Sequence, residues 1–438
     1  MSQSYLLKNL KPAGPGTSHL PEKVDIEIES GKIKRIADKI ESTKNQEVQV
    51  EDFAGAYVSA GWMDMHVHLR EPGFEHKETI ATGCAAAANG GFTDIACMPN
   101  TKPAASSRDV IEFIRTKAEV QPVDVHPIAC VSIDREGKQL AEMADLKAGG
   151  AVAFSDDGDP VYDARLMRIA LDYASMLDMP IINHEEDLAL SRPGHMHEGR
   201  VSARLGVDAT PGIAEEVMIA RDIMLAELTG GHIHVAHIST AKAVELVRQA
   251  KQKGIKVTAE VCPHHFDLTD EEIERTGFDT NFKMHPPLRS SDDVEAMIGG
   301  LKDGTIDAIC TDHAPHSVDE KESEFIYAPN GIIGLETAFA ISCMRLLEPG
   351  HLSLDEILEK LIAAPRSILN IPVPEVKEGV EAKLTIFDTE ESWIYSSDVI
   401  KSRSRNSPYL NETLNGRAIA VYCGNQLVMN NLKSAGAD

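Results

Sequence analysis

The chain has 438 residues, 42% of them hydrophobic, and a formal net charge of -26. That length exceeds one small core and suits one large barrel with an accessory domain, and the hydrophobic fraction excludes a disordered chain. The acidic excess excludes nucleic acid and anionic membrane surfaces as partners, because their phosphates would be repelled.

The N-terminal MSQSYLLKNLKP lacks the apolar core of a secretory signal, and no run approaches ~18 unbroken apolar residues. Cysteines stand at 84, 97, 130, 262, 310, 343 and 423 without a C-x-x-C pair, several inside apolar runs. They read as buried thiols of a reducing compartment, and a cytoplasmic protein is expected. Within residues 1–60, KVDIEIESGKIKRIAD predicts two strands joined by a Ser-Gly turn.

From 61 to 372, short β-rich runs alternate with helical stretches. The strand candidates are 62–68, 93–99, 124–131, 150–155, 180–184, 232–238, 256–262 and 307–312. Between them, Leu166, Ile169, Ala170, Tyr173 and Leu177 form one helical stripe, and Val294, Met297, Ile298 and Leu301 another. Glycines in AAAANGGFTDI and KAGGAVAF mark helix exits. Eight βα units with apolar strands predict a TIM-type (β/α)8 barrel over residues 61–375. AKLTIFD and AIAVYCGNQLVMNN near the end are again hairpin-like, so residues 1–60 and 376–438 are expected to meet in one small β-sandwich.

In such a barrel, chemistry gathers at the C-terminal strand ends. The first strand ends in Asp64-Met65-His66-Val67-His68, which places His66 and His68 on one face. H-x-H alone is a weak signal. However, the fourth strand ends in Ser155-Asp156-Asp157, the fifth in His184, the sixth in His237 and the eighth in Asp312. Four histidines and at least two carboxylates on one rim predict a metal site, with enough ligands for two ions and a bridging carboxylate. Two ions sharing a water would lower its pKa, and an aspartate on the last strand could carry its proton to a leaving nitrogen. That chemistry is metal-assisted amide hydrolysis.

The landmarks GWMDMHVHLREPG, GGFTDIACMPNTKP, AFSDDGDP, INHEED, HVAHIST, CTDHAPH, GIIGLET and SRNSP run through nearly the whole chain. Together they resemble the class I dihydroorotases of the amidohydrolase superfamily. The resemblance implies two Zn2+ ions, one held by His66, His68 and Asp312 and the other by His184 and His237. Many relatives bridge the ions with a carboxylated lysine; here Asp157 looks like its replacement, with neighbouring Asp156 the open alternative. The implied reaction is the reversible cyclisation of N-carbamoyl-L-aspartate to L-dihydroorotate in pyrimidine synthesis, with a hydroxide between the ions as nucleophile and Asp312 as general acid and base.

A carboxylate-bearing substrate needs a planar donor, and Arg70, two residues past His68, is the candidate, with Asn100 and His316 as further contacts. His285, in KMHPPLR, stands where relatives usually have asparagine and is the fourth substrate-binding candidate. Lys383 replaces a usual aspartate, and Asn330 in YAPNG a usual aromatic residue. His264, His265 and His313 read as orienting or loop residues, and Glu185, Glu186 and Asp187 as a helix-start acidic cluster. Strand parity places His232 and His234 opposite His237, in helix-facing or fold-supporting roles. Segments 277–290 and 317–331 are the candidate closing loops. The resemblance also implies a homodimer and association with aspartate transcarbamoylase. The rival readings are a dihydropyrimidinase, hydantoinase or allantoinase, and an inactive scaffold homologue.

Overall fold

Eight parallel strands follow one another in chain order around a barrel in the computed structural model, which describes residues 4–41 and 48–430. Parts of the expected sandwich at 1–3, 42–47 and 431–438 lie outside the described residues. The barrel strands are Trp62–Val67, Phe92–Cys97, Asp124–Ala129, Ala153–Phe154, Ile181–Asn183, Ile233–Val235, Val257–Val261 and Ala308–Ile309. Every expected strand is present, and most are shorter than the apolar run that signals them. The runs continue beyond the ladders because the rim residues are buried as well. The barrel closes where Val67 bridges His313 in parallel and the His68 N–H donates to the His313 carbonyl at 2.9 Å.

Inside the barrel, Met63, Met65, Ala96, Met98, Ile128, Ala153, Ile182, Ala308 and Cys310 pack as one plug. The opposite faces of the strands join the larger core under the helices. Helix Ile80–Gly90 ends at Gly91, whose φ of 94° is left-handed. A Cβ there would lie 2.6 Å from the Trp62 ring, so glycine is required twice over. Helix Ala164–Met176 starts on Asp163, which accepts from Leu166 N–H, and buries Leu166, Met167, Ala170, Leu171 and Ala174. Ile169 is 43% exposed and lies off the expected stripe. Helix Ser291–Asp303 starts on a Ser290–Asp293 capping box.

Both termini build the second sheet. Strands Val24–Glu29 and Lys32–Ala37 pair across Ser30-Gly31, whose φ values of 52° and 77° are those of a tight hairpin turn. Strand Leu384–Ile394 pairs with Thr413–Cys423 on one side and with Tyr57–Ala60 on the other. Strand Ser4–Pro12 pairs with Val24–Glu29 and Val48–Asp52, then continues beside Tyr57–Ala60, joining the N- and C-terminal strands in one eight-stranded sheet. Lys383 docks this domain on the barrel: its Nζ is 3.0 Å from Asp94 Oδ1 and also pairs with Asp124. Arg366 reaches the other Asp94 oxygen at 2.5 Å. Asp94 and Asp124 stand at the beginnings of their strands, so this ionic knot lies at the end of the barrel away from the rim.

Candidate active site

Backbone irregularities deliver the rim side chains. In the first barrel strand, Asp64 opposes Ile95 but Val67 opposes Cys97, so one extra residue is inserted and both Met65 and His66 turn inward. His237 (φ 30°), Asp312 (φ 46°) and Arg70 (φ 62°) all hold positive φ, a conformation costly for side-chain-bearing residues and found most often at working sites. His66 Nε2 lies 3.5 Å from Asp157 Oδ1 and 3.6 Å from Asp312 Oδ1. His68 Nε2 lies 3.5 Å from Asp157 Oδ2 and 2.9 Å from Asp312 Oδ1. From the other side, His184 Nδ1 and His237 Nε2 approach Asp157 Oδ1 at 3.7 and 3.6 Å and stand 3.0 Å apart. The four histidines thus surround the Asp157 carboxylate. Asp156 points elsewhere, accepting from Val131 and Ser132 N–H at 2.9 and 3.0 Å.

These residues fit a pair of divalent ions. His66 Nε2 and Asp157 Oδ1 are buried and have no hydrogen-bond partner, although they face each other. Spacings of 3.5–3.7 Å are long for hydrogen bonds and close to the ~3.3 Å edge expected for donors sharing one ion at about 2.0–2.1 Å. His66, His68 and Asp157 form one such cluster, and Asp157, His184 and His237 another. Burial opposes ionisation of Asp157, but the surrounding imidazoles of His66, His184 and His237 outweigh it and hold the carboxylate well below the usual range.

All the nominated residues except His66, which is fully buried, line a cavity of about 290 Å³. Burial pushes the Arg70 guanidinium down to about 10, which leaves it charged, and its Nε donates to the Pro315 carbonyl at 3.3 Å. Asn100 accepts from His68 Nδ1 at 2.8 Å, so this residue orients a rim histidine as well as lining the cavity. His285 stacks on His184 with ring centres 5.1 Å apart and holds Glu186 at 3.1 Å. His316 donates from Nε2 to the Asn330 carbonyl at 2.8 Å, and burial followed by Arg70 and Lys77 pulls it down to about 2, so it is neutral. Asn330 and Gly331 belong to a wall tied to segment 277–290: Lys283 Nζ donates to the Ala328 carbonyl at 2.8 Å, and Lys321 Nζ to Pro329 at 2.9 Å.

Three features differ from the sequence reading. Of the two roles expected for His234 the fold-supporting one applies, on the barrel side: it is fully buried with Nε2 3.4 Å from Glu260, because the chain leaves strand geometry at His237 and counting by twos fails there. Glu260 itself was not singled out; its Oε1 lies 2.6 Å from His66 Nδ1. An ionisable residue inside the apolar run KVTAEVC, two positions before Cys262, was the available signal. The acidic cluster divides three ways. Asp187 caps helix Leu188–Ser191, Glu185 is buried beside Asn183, and Glu186 serves His184 and His285. His313 and His265 match their expected roles: His313 sits between Glu78 and Gly334 N–H, and His265 donates to the Pro286 carbonyl.

A family model described as "Dihydro-orotase-like" matches residues 55–243. The chain is 48% identical to the dihydroorotase of Syntrophus aciditrophicus (strain SB) over 97% of its own length and 98% of that protein. It is 47% identical to the dihydroorotase of Pelotomaculum thermopropionicum over the same shares of the two chains. Among solved structures it is similar to an L-hydantoinase (dihydropyrimidinase) from Arthrobacter aurescens, with a TM-score of 0.85 and 22% identity over 98% of this chain and 96% of that one. It is also similar to a dihydropyrimidinase from Brevibacillus agri, with a TM-score of 0.83 and 21% identity over 98% and 95%. At such identities the structural likeness is one of fold. Rim geometry and full-length relatives agree: the chain belongs to the dihydroorotase family of the amidohydrolase superfamily and is a metal-dependent cyclic amide hydrolase.

Proposed function

We propose that the protein interconverts N-carbamoyl-L-aspartate and L-dihydroorotate in pyrimidine synthesis, with two zinc ions at the barrel rim. The observation that carries this is the convergence of four imidazoles on Asp157 beside a charged, half-buried arginine. His66, His68 and Asp312 would hold one ion, His184 and His237 the other, with Asp157 between them. Bound there, the ions supply Lewis acidity to the amide carbonyl and make a water acidic near neutral pH. Asp312 takes the proton that the attacking water loses and returns it to the ring nitrogen as the carbon–nitrogen bond breaks. In the cyclising direction the ureido nitrogen attacks the side-chain carboxyl carbon and gives its proton to Asp312, which passes it to the departing carboxyl oxygen; with a second proton from solvent that oxygen leaves as water. Arg70 grips the substrate carboxylate, Asn100 and His285 flank it, and the neutral His316 donates to Asn330 and shapes the wall. A homodimer belongs to the same reading, and sedimentation analysis reads it directly.

Arg70→Ala should lower kcat/KM on carbamoyl-aspartate about 100-fold or more, since a buried charge-assisted pair is lost. Wild-type kinetics in that variant, or faster turnover of hydantoin than of dihydroorotate, would overturn the assignment in favour of another cyclic amidohydrolase.

A further inference from the structure

We propose that Glu260 is a positioning residue that fixes His66 in one tautomer from inside the barrel; this rests on the metal centre proposed above. Glu260 lies in strand Val257–Val261 and is wholly buried. Its Oε1 is 2.6 Å from His66 Nδ1, and its Oε2 is 3.4 Å from His234 Nε2. A carboxylate has no proton to give, so the short contact places the hydrogen on His66 Nδ1. Nε2 is thereby left with its lone pair, and Nε2 is the atom that faces Asp157 and Asp312 at 3.5 and 3.6 Å.

A second imidazole stands against the other carboxylate oxygen. His234 Nδ1 is 2.8 Å from Thr258 Oγ1, which keeps its ring in place beneath Glu260. A carboxylate at this depth is costly unless hydrogen-bonded, and its hydrogen bond is the one with His66 Nδ1; Glu260 Oε2 and His234 Nε2 face each other at 3.4 Å without a hydrogen-bond partner. The four rim histidines are therefore unequal. Behind His66 stands a carboxylate, behind His68 the neutral amide of Asn100, and beside His184 the carboxylate of Glu186 at 3.5 Å. His237 Nδ1 is buried without a hydrogen-bond partner. Each half of the centre holds one imidazole made more basic by an anion behind it.

The test compares the zinc-loaded wild-type enzyme with Glu260→Gln and His234→Gln. Zinc per chain and affinity are measured by competition with a chromophoric chelator, and the thermal midpoint of each protein is measured after stripping. A glutamine can turn its amide nitrogen to His66 Nδ1 and release the other tautomer. Glu260→Gln should therefore lose about 10- to 100-fold in affinity for one zinc equivalent and keep the other. Its stripped midpoint should not fall, because a buried charge has been removed. His234→Gln should shift the same equivalent in the same direction by less, and it carries the test if Glu260→Gln does not fold. Wild-type affinity for both equivalents in these variants, or a stripped midpoint lowered as much as the loaded one, would overturn the role of Glu260 alone. A wild-type chain that binds no zinc would overturn the centre itself.

Discussion

Asp156 and Asp157 are adjacent carboxylates with separate partners. Asp157 Oδ1 has no hydrogen-bond partner and stands among imidazoles, whereas Asp156 is saturated by the 131–132 backbone and the Ser132 hydroxyl. Asp157→Ala should reduce bound zinc to less than one ion per chain and remove activity with it, read by elemental analysis beside kinetics. Asp156→Ala should keep its zinc and lose about 1–3 kcal/mol of stability in urea, as two buried N–H groups lose their acceptor. Sequence alone left these two open, since parity needs a known strand end and the ladder here stops at Phe154. The same limit applies to the face of His234, three residues before the positive-φ turn at His237. Residues that follow the period of an unbroken strand were legible; those set by a bulge or a left-handed residue were legible only by kind.

At the level of elements, segments 277–290 and 317–331, both candidate closing loops, form one rim. Lys283 and Lys321 thread their ammonium groups into carbonyls of the 326–329 turn, and Gly331 N–H returns to the Lys283 carbonyl at 3.0 Å. Burial pushes Lys321 down to about 7 from 10.5. Between those values the unfolded chain binds the proton that the folded chain has released, so stability from this group rises with pH across that window. The unfolding free energy of the wild type relative to Lys321→Met should therefore increase between about pH 7 and about pH 9. Urea titrations at several pH values measure it, and a pH-independent difference would count against the buried latch. Lysines are ordinarily surface residues, and nothing in the local pattern of KMHPP or DEKES signals burial. The barrel helices and strands were legible for the opposite reason, because their periodicity repeats eight times.

For the whole molecule, acid is concentrated along the barrel axis. Asp64, Glu260, Asp157 and Asp312 stack beneath and around the rim, and burial raises Asp64 to about 7. Cations at the rim offset this repulsion, so binding is linked to folding. Stripping the metal with a chelator should lower the thermal midpoint by a few degrees, and adding zinc back should restore it; an unchanged midpoint would separate the two. At the opposite end, Asp94 with Arg366 and Lys383 fastens the sandwich to the barrel. Lys383, a departure from the usual residue of its relatives, thus serves domain docking and stands apart from the chemistry.

The seam of the barrel runs through the candidate site. His68 and Asp312 stand 244 residues apart in the chain and 2.9 Å apart in space. During synthesis His68 and Asp312 stay separated until the eighth strand emerges and closes on the first. A chain lacking that strand keeps His66, His68 and Asp157 but has no Asp312 to complete the set. With the ligand set proposed above, the site at His66 and His68 is therefore complete only in a closed barrel.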